Sequence, residues 1–508
     1  MKHRRILSGL AALMLAASLP MSALAREWDI ADGDITIVAD NDGQKVSQGT
    51  ENDISDDNPI IIGNSATNTV SIVAEKDQTA NVTLSGANID GSTKGNAAVS
   101  TTGEGNVSIE LDGDSTLKSG FSHAGLEKNN GGKLTIADED KNGKLTAEGG
   151  KYGAGIGGGD QGAGSGITIT GGEIKATGGQ YGAGIGGGKG AGSDITISGG
   201  EVNATGGTSG AGIGGGYNGN GSDITITDGE VNATGGKYGA GIGGGEYGIG
   251  KDIIITGGEV NATGGRFSAG IGGGSRGTGS DITISGGEVN ASGGVNGAGI
   301  GGGLRSKGKD ITVSGDTKLK VQGGDEDHYD GAGAGIGDGG SNAYGTKILG
   351  AEVEPDTSGL TTGRIEYYAP GADMDKDAPS HTIVGTYIPP QPAREVAAPA
   401  QPAAPLYRVT DGDGKDVSYE TTWRDGVLTV TVEADQATLT GRLSSIASLQ
   451  AQGIERIVFI TKGATSEFLT ADLLAAAPAT ERYALSHDGE AVTFTAGEAD
   501  VSGILVKA

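Results

Sequence analysis

The chain has 508 residues, of which 102 are glycine and none cysteine; aromatic residues make up 4%, and the formal net charge is −28. The lack of cysteine excludes a disulfide scaffold, and glycines that miss every third position exclude collagen. The acidity disfavours nucleic acid and anionic membrane as partners and leaves divalent cations as natural counter-ions.

Lys2, His3, Arg4 and Arg5 open the chain, an apolar stretch follows from Ile6 to Leu19, and Ala23-Leu24-Ala25 has the small-x-small form of a processing site. This order predicts a signal peptide over residues 1–25, cleaved after Ala25, and so an extracellular protein, secreted or held at the cell surface. No second apolar run of about twenty residues occurs, so no transmembrane helix is expected after cleavage.

A repeat dominates what comes next. Ala-Gly-Ile-Gly-Gly-Gly places Ile156, Ile185, Ile213, Ile242, Ile271 and Ile300 at steps of 29, 28, 29, 29 and 29 residues, and a degenerate copy carries Ile336 after a step of 36. Between the copies lie Ile-Thr-Ile segments and Glu-Val-Asn-Ala segments, alternating apolar and polar with period two and closed by glycines. That is strand-and-turn punctuation. A helix would lose about 1 kcal/mol per interior glycine relative to alanine. Three short strands per unit, repeated in register, predict an all-β fold: a right-handed parallel β-helix over residues 26–345 with coils of about 29 residues, most regular over 150–315.

Residues 346–388 lose the period and are expected to cap the solenoid, as the segment around Trp28 caps its start. The Pro/Ala-rich stretch 389–405 reads as a semi-rigid linker. Residues 406–508 read as a small α+β module: strands at Tyr407–Thr410, Asp416–Thr421, Val427–Val432 and Ile457–Thr461, helices at Leu443–Gln452 and Thr470–Ala477, and a hairpin at His487-Asp488-Gly489. Asp411-Gly412-Asp413-Gly414 reads as a hairpin turn.

The repeated Gly-Ala-Gly-Ile-Gly-Gly-Gly and Ile-Thr-Ile-Ser-Gly-Gly-Glu-Val-Asn-Ala are similar to repeats in exported proteins of anaerobic gut Firmicutes. The solenoid as a whole resembles the parallel β-helix carbohydrate-binding family related in fold to pectate lyases. The resemblance implies secretion, a β-helix and calcium-assisted binding of acidic polysaccharide; it assigns no ligand residues.

Candidate site residues come from rows and loops. Tyr152, Tyr181, Tyr238 and Phe267 share one repeat position, interrupted by Ser209 and Asn296. Exposed ring faces suit the C–H faces of sugars, and a stacked row also serves as corner packing. Asp194, Asp223, Asp252, Asp281 and Asp310 share a second position, and Glu173, Glu201, Glu230, Glu259 and Glu288 a third. Stacked carboxylates repel, so these rows call for calcium, for splaying into water, or for pairing with Lys175, Lys251 or Arg276. Asp138, Asp140 and Asn142 begin like a calcium loop, but Gly149 stands where the bidentate acid belongs. Asp325, Asp327 and Asp330 sit in the one long insertion, a place where a solenoid builds sites.

No Ser-His-Asp order or zinc spacing is present, so no catalytic residue is assigned and no cofactor beyond calcium is implied. The leading expectation is a carbohydrate-binding or adhesive scaffold whose partner is a polysaccharide or cell-surface glycan. A β-helix polysaccharide lyase or hydrolase built around the Asp325 loop, and a structural or adhesin stalk binding a protein partner, are the alternatives.

Overall fold

The computed structural model describes residues 25–343, 346–385, 407–424, 426–451, 453–477, 481–489, 491–497 and 499–506. The expected signal peptide, up to residue 24, and the expected linker 389–405 lie outside them. The chain divides into two units, residues 1–390 and 391–508, and each is taken by itself.

In the first unit, the Ile-Thr-Ile and Glu-Val-Asn-Ala segments become strands because each alternates one residue inward and one outward, the period of a pleated strand. Strands Gly164–Ile169, Gly250–Ile255 and Gly279–Ile284 lie on one face; Glu173–Thr177, Glu259–Thr263 and Glu288–Ser292 lie on the next. Gly192–Thr205 and Gly221–Thr234 run around the corner between these faces, which therefore form one 21-stranded sheet. The Ile-Gly pairs of the hexapeptide make the third face, a 13-stranded sheet whose members pair in parallel from Ile336–Gly337 back to Ile35–Asp40 and end in an antiparallel hairpin through Gly43–Gln48 and Glu51–Ser55. The unit is a parallel β-helix.

Register follows the repeat. Ile167, Ile195, Ile224, Ile253, Ile282 and Ile311 are successive partners, as are Ile156, Ile185, Ile213, Ile242, Ile271, Ile300 and Ile336. Each is buried, a contribution of about 1.5–3 kcal/mol per side chain before the cost of ordering the chain. At the start, Trp28 is buried and its Nε1 donates to Asp56 Oδ2 at 2.9 Å. Past the long insertion the second-face ladder continues to Arg364–Tyr368, parallel to Lys318–Gln322, before His381–Val384 closes it antiparallel.

Two glycine rows are dictated by backbone geometry. The glycine after each third-face isoleucine has φ between 127° and 137°, from Gly157 to Gly337, a region closed to side chains. At the Gly-Gly corner, coils approach so closely that a Cβ on Gly236 would lie 1.5 Å from the Gly207 carbonyl oxygen, and one on Gly207 equally close to that of Gly179.

In the second unit, a five-stranded antiparallel sheet (Tyr407–Thr410, Gln436–Arg442, Arg482–Asp488, Ala491–Ala496, Ala499–Asp500) and a four-stranded sheet (Glu420–Arg424, Val427–Thr431, Arg456–Ile460, Thr465–Leu469) accompany helices Leu443–Ala451 and Thr470–Ala476. Val430, Phe459, Phe468, Leu485 and Phe494 fill the core. The Asp-Gly-Asp-Gly turn is present, closed by the Asp411 amide donating to the Lys415 carbonyl at 2.8 Å. The expected strand Asp416–Thr421 lies later, at Glu420–Arg424, where it pairs with Val427–Thr431. Gln436–Arg442 and Thr465–Leu469 were not anticipated, because each runs straight into a helix, at Leu443 and at Thr470, with no turn between strand and helix. Among the described residues, no helix is long and apolar enough to cross a membrane.

Gly236→Ala is expected to destabilise the solenoid by about 3 kcal/mol or more, since the clash is with backbone that cannot rotate away. Gly95→Ala, where φ is +75° but the added Cβ would meet nothing within 4 Å, should cost about 1 kcal/mol. Urea denaturation of both variants followed by circular dichroism checks the contrast.

Candidate binding edge of the solenoid

The corner after each Glu-Val-Asn-Ala strand projects one residue per coil, which puts Tyr152, Tyr181, Ser209, Tyr238, Phe267 and Asn296 on one edge. The turn after each glycine triplet docks on the same edge: the amides of Tyr217, Glu246, Ser275 and Leu304 donate to the carbonyls of Tyr181, Ser209, Tyr238 and Phe267 at 2.8–2.9 Å. Tyr152 stacks on Tyr181 with centroids 5.2 Å apart, and Tyr238 on Phe267 at 5.8 Å. At Ser209 the ring contacts pass to the turn row, where Tyr217 meets Tyr181 edge-on at 5.6 Å and Tyr247 meets Tyr217 at 6.1 Å, while Tyr238 and Phe267 form a second group. Phe121 extends the edge beyond Tyr152 at 5.0 Å. Phe121 is 59% exposed and Tyr247 44%, while the others are half-buried.

Cations lie over these rings. Lys151 Nζ is 5.3 Å from the Phe121 centroid and 5.4 Å from that of Tyr152, and Lys189 Nζ is 5.5 Å from Tyr152. Lys237 covers Tyr238 and Arg266 covers Phe267, both at 4.9 Å, and Arg276 lies 5.8 Å from Tyr247. Within range of a ring quadrupole each such contact is favourable. In a chain of net charge −28, this edge is an aromatic and cationic strip. Phe121, Tyr217 and Tyr247 escape a reading by period because they stand in a degenerate coil or in the turn row, out of phase with Tyr152. The edge ends at Asn296, which is buried and donates through Nδ2 to the carbonyls of Asp330 and Gly331 at 3.1 and 2.8 Å.

The acidic rows have other settings. Asp194, Asp223, Asp252, Asp281 and Asp310 all have φ between 51° and 55°. Aspartate tolerates this left-handed conformation better than most residues, and Gly166 holds the same position one coil earlier with φ +68°. Lys251 Nζ pairs with Asp252 at 2.9 Å as anticipated, while Arg276 faces a ring. The glutamate row is flanked in register by Lys144 before Glu173 and Lys318 after Glu288, and Lys144 bonds the Glu173 carboxylate. A shallow groove of about 590 Å³ runs along this corner past Asp114, Glu173, Glu201 and Asp228.

Asp138 and Asp140 come together with Glu110 of the preceding coil, their carboxylate oxygens within 4.8 Å of one another, in a grouping able to hold a cation. Asn142 is engaged otherwise: its Nδ2 donates to Asp140 Oδ2 at 2.9 Å and its Oδ1 accepts from the Gly113 amide at 3.3 Å. Burial, together with Glu139, Asp138 and Asp140, raises the Glu110 carboxyl above its ordinary range despite the Glu139 amide that it accepts at 2.7 Å. In the long insertion, Asp330 is buried and takes a two-pronged contact from Arg305 at 2.9 and 3.0 Å. Asp327 is half-buried and accepts from the amides of Tyr329 and Asp330; these, with Arg266, outweigh burial and hold its carboxyl below the ordinary range. Asp325 is exposed.

With this geometry in hand, the comparison with known families is direct. Residues 141–160, 167–189, 195–217, 224–246, 253–275 and 282–304 match a family model described as Beta helix repeat. These are beta helix repeats. The matched stretches include Tyr152, Tyr181, Tyr217, Tyr238 and Phe267 of the candidate edge, while Phe121 and Tyr247 lie outside them. Comparison with curated proteins and with solved structures found no match.

Because the Glu110 carboxyl is raised, the folded state favours its protonated form. The associated stability is full below the unfolded carboxylate range and is lost as pH rises through the folded value. Glu110→Gln should therefore raise the thermal midpoint at pH 7 and leave it unchanged near about pH 3. If a cation occupies the grouping, millimolar calcium should raise the wild-type midpoint at pH 7 more than that of the variant. Differential scanning calorimetry at both pH values, with calcium and with chelator, reads both effects.

Proposed function

We propose that the β-helix is an exported, non-catalytic binding scaffold, secreted or surface-held, whose aromatic edge takes an extended carbohydrate polymer. The observation that carries this reading is the strip of seven rings from Phe121 to Phe267 with lysine and arginine side chains over them. Half-exposed rings offer apolar faces to the C–H faces of sugars, and the flanking cations offer hydrogen-bond donors to hydroxyl and carboxylate groups. The rings repeat along the solenoid axis, so a polymer lying along it meets the same chemistry again and again. Calcium at Glu110, Asp138 and Asp140 belongs to the same reading as a counter-ion on the corner between the first two faces. The basic, apolar and small-residue order of residues 1–25 supports export.

The test is retention of the mature chain, Arg26 to Ala508, on insoluble and acidic polysaccharides, with released sugar assayed in the same mixtures. Replacing Tyr152 and Tyr181 together by alanine should weaken retention about tenfold, two ring contacts of about 0.5–1.5 kcal/mol each. Ile254→Ala, an exposed apolar residue of the first-face strand Gly250–Ile255, should leave it unchanged. Equal retention by the double variant, retention on no polymer, or release of oligosaccharide would each overturn the reading.

A further inference from the structure

His487 lies on strand Arg482–Asp488 of the five-stranded sheet in the second unit and is 2% exposed. Both of its ring nitrogens engage the four-stranded sheet. Nδ1 is 3.0 Å from Thr461 Oγ1, just past strand Arg456–Ile460, and Nε2 is 2.8 Å from Ser466 Oγ on strand Thr465–Leu469. Around this junction the sheets meet through apolar side chains: the Phe468 and Phe494 centroids are 4.8 Å apart, and Phe459 lies 4.7 Å from the imidazole. The cross-strand partners of His487 within its own sheet, Ala437 and Val492, are apolar as well. Apolar side chains at 461, 466 and 487 would join the sheets at little or no cost, so packing alone does not call for the ring and its two hydroxyl partners.

The arrangement suits the neutral ring. Thr461 Oγ1 donates to the Ala464 carbonyl at 3.3 Å and so accepts from Nδ1–H, which leaves Nε2 to accept from the Ser466 hydroxyl. A proton added at Nε2 would make Ser466 the acceptor, strand its hydroxyl hydrogen and bury a positive charge. Among the described residues no carboxylate answers that charge. Asp488 on the same strand, Glu433 and Asp435 before strand Gln436–Arg442, Lys462 after Arg456–Ile460, and Asp472 on helix Thr470–Ala476 are all exposed. Arg456 and Glu467 bond each other, Arg442 and Arg482 stand at the far end of their two strands, and strand Ala491–Ala496 carries no charged side chain. Burial accordingly pushes the imidazole below its ordinary range.

We propose that the second unit is an acid-operated switch in which protonation of His487 reversibly parts the two sheets while the solenoid stays folded. His487 is the only histidine in residues 391–508, and histidine is the side chain whose ordinary charge change falls between about pH 5 and 8. Mild acid therefore acts on this junction. With the folded value below the unfolded one, the unfolded unit binds the proton more tightly. The stability tied to His487 is full above the unfolded value of about 6.5 and is lost as pH falls toward the folded value. Solenoid residues 124–327 contain no histidine and keep their ladder through the same range. Opening uncovers Phe459, Phe468 and Phe494 of the core, so the unit presents in mild acid an apolar face that is buried at neutral pH.

Peptide-resolved hydrogen exchange of the mature chain at about pH 7.5 and about pH 5, corrected for the intrinsic pH dependence of exchange, tests this. Protection of strands Arg456–Ile460, Thr465–Leu469 and Arg482–Asp488 should fall about tenfold in acid and return at neutral pH, since one proton allows at most about tenfold per pH unit below the unfolded value. Solenoid strands Gly250–Ile255 and Gly279–Ile284 should keep theirs. His487→Gln, whose amide can bond both hydroxyls but takes no proton, should hold one level of protection across the range. His487→Leu should do the same, and it carries the test if the amide variant folds poorly. Unchanged protection of the three strands in the wild type, an equal loss in the solenoid strands, or an acid loss that survives in a folded variant would overturn the proposal.

Discussion

The coil-to-coil backbone ladder, held in parallel register by a nearly constant repeat length, is the constraint on which the rest of the solenoid depends. It sets each residue directly above its own kind, so every choice in one coil is multiplied along the axis. Isoleucine on isoleucine compounds burial. Glycine on glycine permits the close corner where the Gly207 carbonyl occupies the space that a side chain on Gly236 would need. The same rule turns any polar choice into a row whose members must tolerate one another.

Each polar row meets that demand differently. The asparagines form an amide ladder in which Asn232 donates to Asn203, Asn261 to Asn232 and Asn290 to Asn261 at 3.1, 3.0 and 2.7 Å. Its direction leaves Asn290 Oδ1 without a protein partner where the row passes to Lys320. The aspartates are kept at a left-handed bulge, where the backbone conformation narrows the choice to glycine and a few short polar residues. The glutamates end on a lysine at each side. Local conformation thus accounts for the choice of aspartate in this row.

The solenoid was legible because its period, its glycine corners and its alternating strands all point to the same fold. Tyr152, Tyr181, Tyr238 and Phe267 were legible as a row for the same reason. The complete edge was not, because Tyr217 and Tyr247 come from the turn row, and the closeness of Tyr217 to Tyr181 depends on a backbone hydrogen bond between coils that no spacing along the chain expresses. Glu110 was hidden similarly: it stands 28 residues before Asp138, and only stacking brings the two together. In the C-terminal unit, strands that flow into helices erased the boundary signals, and Glu420–Arg424 shifted toward the tight connection that fixes its register.

Rigidity links this architecture to binding. Side chains projecting from stacked coils have their backbone held on both sides by the ladder, so a ring such as Tyr181, already stacked on Tyr152 and met by Tyr217, has little freedom left to lose when a ligand arrives. Each contact is weak alone, but contacts repeated along one axis combine within a single extended ligand at high effective concentration. A compact ligand would meet one or two rings and gain little from the rest. On the proposed reading the edge would therefore discriminate by length, and polymers are the class of ligand that could use all of it.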